Sequence, residues 1–104
     1  MAKYLFVYHG GKAPTSAAEG QAAMAAWGAW FGSMGAAVID GGNPVGKSST
    51  VHGGGRVTDD GGSNPVSGYS LVNAASLGDA QALAKGCPVL AAGGSVEVAE
   101  AMAM

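Results

Sequence analysis

Charge is what this chain has least of. Asp, Glu, Lys and Arg together make up 12% of its 104 residues, about half of the ~25% usual in globular domains. The five basic residues, Lys3, Lys12, Lys47, Arg56 and Lys85, are scattered through a chain of net charge −2. Without a basic stripe, nucleic acid is excluded as a partner. A single cysteine, Cys87, excludes a disulfide framework. No apolar run approaches the ~20 residues that cross a bilayer, so no membrane partner is expected. The start, Lys3-Tyr-Leu-Phe-Val-Tyr8, is too short and too strand-like for a secretory leader, and a cytoplasmic location is expected. Histidine is also rare, at His9 and His52 only, and no spacing of His, Asp and Cys has the pattern of a metal site. No metal or organic cofactor is expected.

What is present is enough for one domain, residues 1–104, and not for two cores. Hydrophobic residues reach 48%, with few charges to cover them. One reading is a homodimer, in which a second copy covers part of the surface. The other is a surface of Ala, Gly and Ser that is soluble without charge.

Strand-like runs alternate with helix signals. Tyr4-Leu-Phe-Val-Tyr8 has strand length and composition, and Gly10-Gly11 and Pro14 break it. Ser16-Ala-Ala-Glu19 is a capping box, followed by Met24, Trp27, Phe31 and Met34 on one helical stripe widened by Trp30. Gly35 ends that helix. Ala36–Asp40 predicts a second strand leading into the Gly41–Pro44 turn, and Thr50–His52 its continuation or a further short strand. Five glycines between Gly53 and Asn64 predict a loop or mobile hairpin tip, because ordering them costs about 1–2 kcal/mol per residue with little burial in return. Beside a cleft such a loop could serve as a lid. Gly68–Asn73 alternates as a strand, Ser76-Leu-Gly-Asp79 caps a second helix, Gly86 and Pro88 stop it, and Ser95–Val98 closes the chain as a strand.

The order β-α-β-β-α-β predicts an α+β, ferredoxin-like fold: a four-stranded antiparallel sheet with two helices on one face. The other sheet face keeps apolar alternate residues with no helix left to cover them, which again points to a dimer.

Five segments carry a resemblance: Asp40-Gly-Gly-Asn-Pro44, Val51-His-Gly-Gly-Gly55, Pro65-Val-Ser-Gly-Tyr-Ser70, Lys85-Gly-Cys-Pro88 and Gly93-Gly-Ser-Val-Glu-Val98. Their order and spacing over nearly the whole chain resemble the YCII-related domain family, near its DGPF-type members. That resemblance implies a dimeric α/β barrel with a cleft between sheet and helices. It also implies a cofactor-free acid–base enzyme acting on a small organic molecule, through a histidine–aspartate pair. Asp40 matches the aspartate of that pair. The first helix has Gln21 and Met24 at its middle and no histidine, so the partner of Asp40 would be His9 or His52. The alternative is a non-catalytic module that binds a small ligand or serves as a structural dimer.

Read as residues, each candidate has two roles. His9, at a strand end beside two glycines, is a proton carrier or a strand-end imidazole. Asp40 either orients a histidine or caps the amides of its own turn. His52, Tyr69 and Trp27 are candidate ligand contacts; equally, His52 is a loop imidazole, Tyr69 a packing residue and Trp27 core or interface. Cys87 reads as a buried, inert thiol. Gly46-Lys-Ser48 mimics the end of a phosphate-binding loop, but it leads into a strand rather than a helix, and that function is rejected.

Overall fold

Alternation decides the first strand. In β1 (Ala2–His9), Tyr4, Phe6 and Tyr8 are buried on one face while Lys3, Leu5 and Val7 fall on the other. The computed structural model describes all residues, Met1–Met104. Helix α1 (Ala17–Met34) begins as its sequence requires: Ser16 Oγ accepts from the Glu19 amide, and Glu19 reaches back to Thr15. Gly35 ends it at φ 55°, with its amide bonded to Phe31 O. After a tight turn come β2 (Val38–Asp40) and a hairpin of β3 (Thr50–Val51) and β4 (Val57–Thr58). The longest strand, β5 (Val66–Ala74), precedes α2 (Leu77–Ala84), α3 (Pro88–Ala91) and β6 (Ser95–Ala101).

The main sheet is antiparallel with strand order β2-β5-β1-β6. This α+β arrangement is compatible with the expected ferredoxin-like fold. Two expectations need correction, and one alternative is decided. The second strand starts at Val38 because Gly35–Ala37 is spent on a 3₁₀ turn. Of the two readings for Thr50–His52 the further short strand holds: Thr50–Val51 pairs with Val57–Thr58 in a separate two-stranded sheet. Pro88 does not merely stop α2; it opens α3, where a missing N–H and a fixed φ cost nothing.

Helices pack on the face made by Tyr4, Phe6, Tyr8, Val72 and Ala74. Trp30 is the keystone, stacked on Phe6 with ring centroids 6.1 Å apart and donating its indole N–H to Leu83 O at 3.0 Å. Gly86 lies so near the Trp30 ring that a Cβ there would sit 3.1 Å from it. Small residues elsewhere on α1 do not serve a close approach, since nothing lies near Gly28 or Gly32.

Leu5, Val7, Tyr69, Leu71 and Ala99 lie, by register and alternation, on the opposite sheet face. No helix covers it. The molecule is accordingly thin, 43 × 42 × 18 Å with a radius of gyration of 14.9 Å, against about 13 Å for a compact chain of this length. Only 14 of 104 residues are buried, as one sheet carrying one layer of helices would give. No helix is long and apolar enough to cross a membrane.

Candidate functional site

The largest concavity is a cleft of about 1650 Å³ on the helix face, at the end of β1. One wall is α1, contributing Met24, Trp27, Trp30 and Phe31; the facing rim is α3 with the segments on either side of it. The Gly41–Pro44 turn and Ser67–Tyr69 of β5 border a third side. Aromatic packing builds the wall. Trp27 meets Tyr8 edge-on at 5.0 Å and Trp30 edge-on at 5.6 Å, while Phe31 lies 5.2 Å from Trp30. Met24 shares the helical stripe but is 77% exposed, beside the cleft instead of in the core.

Tyr8 forms part of the floor. Its hydroxyl donates to Ser70 Oγ at 2.6 Å, and Ser70 donates in turn to Gly41 O at 2.7 Å. This short chain ties β1 to β5 and to the turn after β2. Burial pushes the Tyr8 phenol up to about 12. Cys87, also on the cleft, is buried and pushed up to about 11 by the same cause. The reading of a buried, inert thiol agrees with this, because the thiolate is the reactive form. Neither group ionises near neutrality.

Backbone conformation fixes the turn. Gly42 has φ 69°, and a Cβ there would fall 1.8 Å from Tyr69 O. Asp40 Oδ1 accepts from the Gly42 amide at 2.8 Å. Thus Asp40 caps its own turn and is not among the residues lining the cleft.

His9 is elsewhere. Its side chain follows Leu5 and Val7 onto the face away from the helices, past a bulge between Tyr8 and His9. Nε2 lies 2.9 Å from Glu97 Oε1, two residues along β6 from its paired position, and Nδ1 lies 3.3 Å from Pro65 O. A carboxylate and a carbonyl can only accept, so the ring serves both only when it carries both protons. The Glu97 hydrogen bond, first among the causes, raises the His9 pKa above its ordinary value. Asp40 pairs opposite Leu71, which pairs with Leu5. His9 is four residues farther along β1, about 13 Å along the strand and two strand spacings, about 10 Å, across. The anticipated His9–Asp40 pair is therefore not brought together.

His52, the other candidate partner, is hydrogen-bonded within its own hairpin and not to Asp40. Its Nε2 is 3.0 Å from Thr58 Oγ1, closing the β3–β4 hairpin. No residue from 45 to 66 lines the cleft, so the hairpin gives the lid idea no footing. Trp27 and Tyr69 do border it. Tyr69 alternates away from Gly68, and its hydroxyl is 3.5 Å from Asn43 Nδ2 at the rim. Tyr8, Lys12 and Lys85 were not legible as cleft residues, although the strand period alone could have put Tyr8 beside Tyr4 and Phe6. Nowhere do three or more His, Cys, Asp or Glu side chains gather as a metal would need.

Comparison with protein-family models, with curated proteins and with solved structures found no match to this chain.

Proposed function

We propose that this protein is a small-ligand-binding module, a homodimer whose helix-face cleft takes a flat, largely apolar organic molecule. The aromatic wall of Trp27, Trp30 and Phe31 beside a wide cavity carries this reading. Ligand sites combine an apolar lining with a few placed polar groups, here the Tyr8 hydroxyl and the Gly41–Pro44 turn. The YCII-related resemblance belongs to the same proposal, through its sheet–helix cleft and its paired sheets.

An acid–base enzyme has less support. It needs a group in the cleft that exchanges a proton near neutrality. Tyr8 and Cys87 are held protonated there, and His9 and Glu97 belong to the other sheet face. The dimer is supported by that second face, where Leu5, Val7 and Leu71 have no covering layer.

Nuclear magnetic resonance titration with neutral aromatic amides tests the cleft. The two indole N–H signals, Trp27 and Trp30, should move in the wild type and not in Trp27→Ala/Phe31→Ala, the latter read at the remaining Trp30 signal. Indole signals indifferent to these amides and to the matching carboxylates would end the binding reading. Sedimentation equilibrium should return twice the 10.0 kDa chain mass, falling to one chain in Leu71→Lys; a monomeric wild type would end the dimer.

A further inference from the structure

We infer that the cleft's ligand is an organic anion, a flat molecule carrying an acid group such as a carboxylate. This rests on the binding reading above and adds the charge of what is bound. The chain has seven acidic and five basic residues, yet no acidic residue lines the cleft, and Lys12 and Lys85 do. A protein of net charge −2 therefore presents a cleft whose formal charges are both positive.

The two lysines flank one structural feature. Lys85 caps the end of α2 just before Gly86 and Cys87, which lead into α3 at Pro88. Lys12 is held beside the other end of α3 by its amide, which donates to Ala92 O at 2.9 Å. Neither lysine has a carboxylate within ion-pair distance; the chain's ion pairs are His9–Glu97 and Lys47–Asp59. Their charge is free for a ligand. The acids adjacent in sequence to cleft residues are both engaged in local caps and do not line the cleft: Glu19 accepts from Thr15, and Asp40 accepts from the Gly42 amide.

Lysine is a point charge without arginine's planar fork, so what the two recognise in an anion is its charge and not a fixed geometry. The one arginine, Arg56, lies on the hairpin, away from the cleft. Across the cavity stands the aromatic wall, on which a conjugated ring can stack. A ring on Trp27 and Phe31 with its acid group toward the α3 rim satisfies both sides.

The test pairs two compounds of one shape, 1-naphthoate and the neutral 1-naphthamide, titrated against the indole N–H signals of Trp27 and Trp30. Exposed ion pairs contribute about 0.2–1 kcal/mol each, so two lysines favour the anion by between about twofold and 25-fold in Kd. That preference should vanish in 0.5 M salt and in Lys12→Gln/Lys85→Gln, with naphthamide binding unchanged by either. Equal affinities for the two compounds, or a preference that survives the double substitution, would overturn the inference and leave the binding module standing. If neither compound moves the indole signals, the binding reading falls and this one with it.

Discussion

Replacing Ser70 with alanine should cost more than removing the hydroxyl of Tyr8, although one hydrogen bond is lost between them either way. In Tyr8→Phe the ring packing is kept, and Ser70 still donates to Gly41 O at 2.7 Å. What is lost is one neutral hydrogen bond, about 0.5–1.5 kcal/mol. In Ser70→Ala the Tyr8 hydroxyl stays, on a residue only 5% exposed, without its acceptor at 2.6 Å. Gly41 O loses its donor as well. An orphaned buried donor costs about 1–3 kcal/mol and the lost Ser70–Gly41 hydrogen bond about 0.5–1.5 kcal/mol, together about 1.5–4.5 kcal/mol. The phenol cannot escape by ionising, because burial has pushed it up to about 12. Once Tyr8 is phenylalanine, Ser70→Ala should cost only the Ser70–Gly41 hydrogen bond, about 0.5–1.5 kcal/mol, a coupling of about 1–3 kcal/mol in the double-mutant cycle. Urea unfolding followed by circular dichroism, at one fixed protein concentration because association shifts the midpoint, measures all four corners. Each 1 kcal/mol corresponds to about 4–8 °C in Tm for a domain near this size. Additive losses, or a Tyr8→Phe loss equal to that of Ser70→Ala, would refute the Tyr8–Ser70–Gly41 relay as the connection between β1, β5 and the turn.

Two further outcomes are expected. The His9 imidazole should titrate above about 6.5, and Glu97→Gln should bring it back toward that value, read from ring proton shifts. Because the folded pKa is raised, the stability from this pair is fully present below the unfolded pKa of about 6.5 and lost as pH rises through the folded value; an unchanged His9 titration in Glu97→Gln would remove the pair as its cause. Gly42→Ala should destabilise by more than the about 1–2 kcal/mol of a left-handed alanine alone, since its Cβ would meet Tyr69 O at 1.8 Å; a loss below 1 kcal/mol in urea would show that the turn is free to move.

Much of the architecture was legible because its causes are local. Ser16 with Glu19 and Ser76 with Asp79 form the helix caps their spacing announced. Gly35 takes the positive φ at the end of α1, and Tyr4, Phe6 and Tyr8 alternate into the core as a period of two demands. The hairpin at Gly53 was foreseen as glycine-rich, but its own pairing of Val51 with Val57 was not, since a two-residue strand carries almost no periodic signal.

The site was legible only in parts. Trp27 and Tyr69 could be proposed from residue type, and both border the cleft. The pairing of His9 with Asp40 could not be judged from sequence, because it depends on which strands neighbour each other. With β5 inserted between β1 and β2, the two residues are held apart along the strands and across the sheet. A one-residue step in strand phase then sends Tyr8 to the helix face and His9 to the other. Lys12 and Lys85, 73 positions apart in sequence, reach one rim only because the Lys12 amide bonds to Ala92 at the end of α3. Composition decided that charge would be scarce; the sheet order and the docking of α3 decided that two unpaired lysines would stand at the cleft.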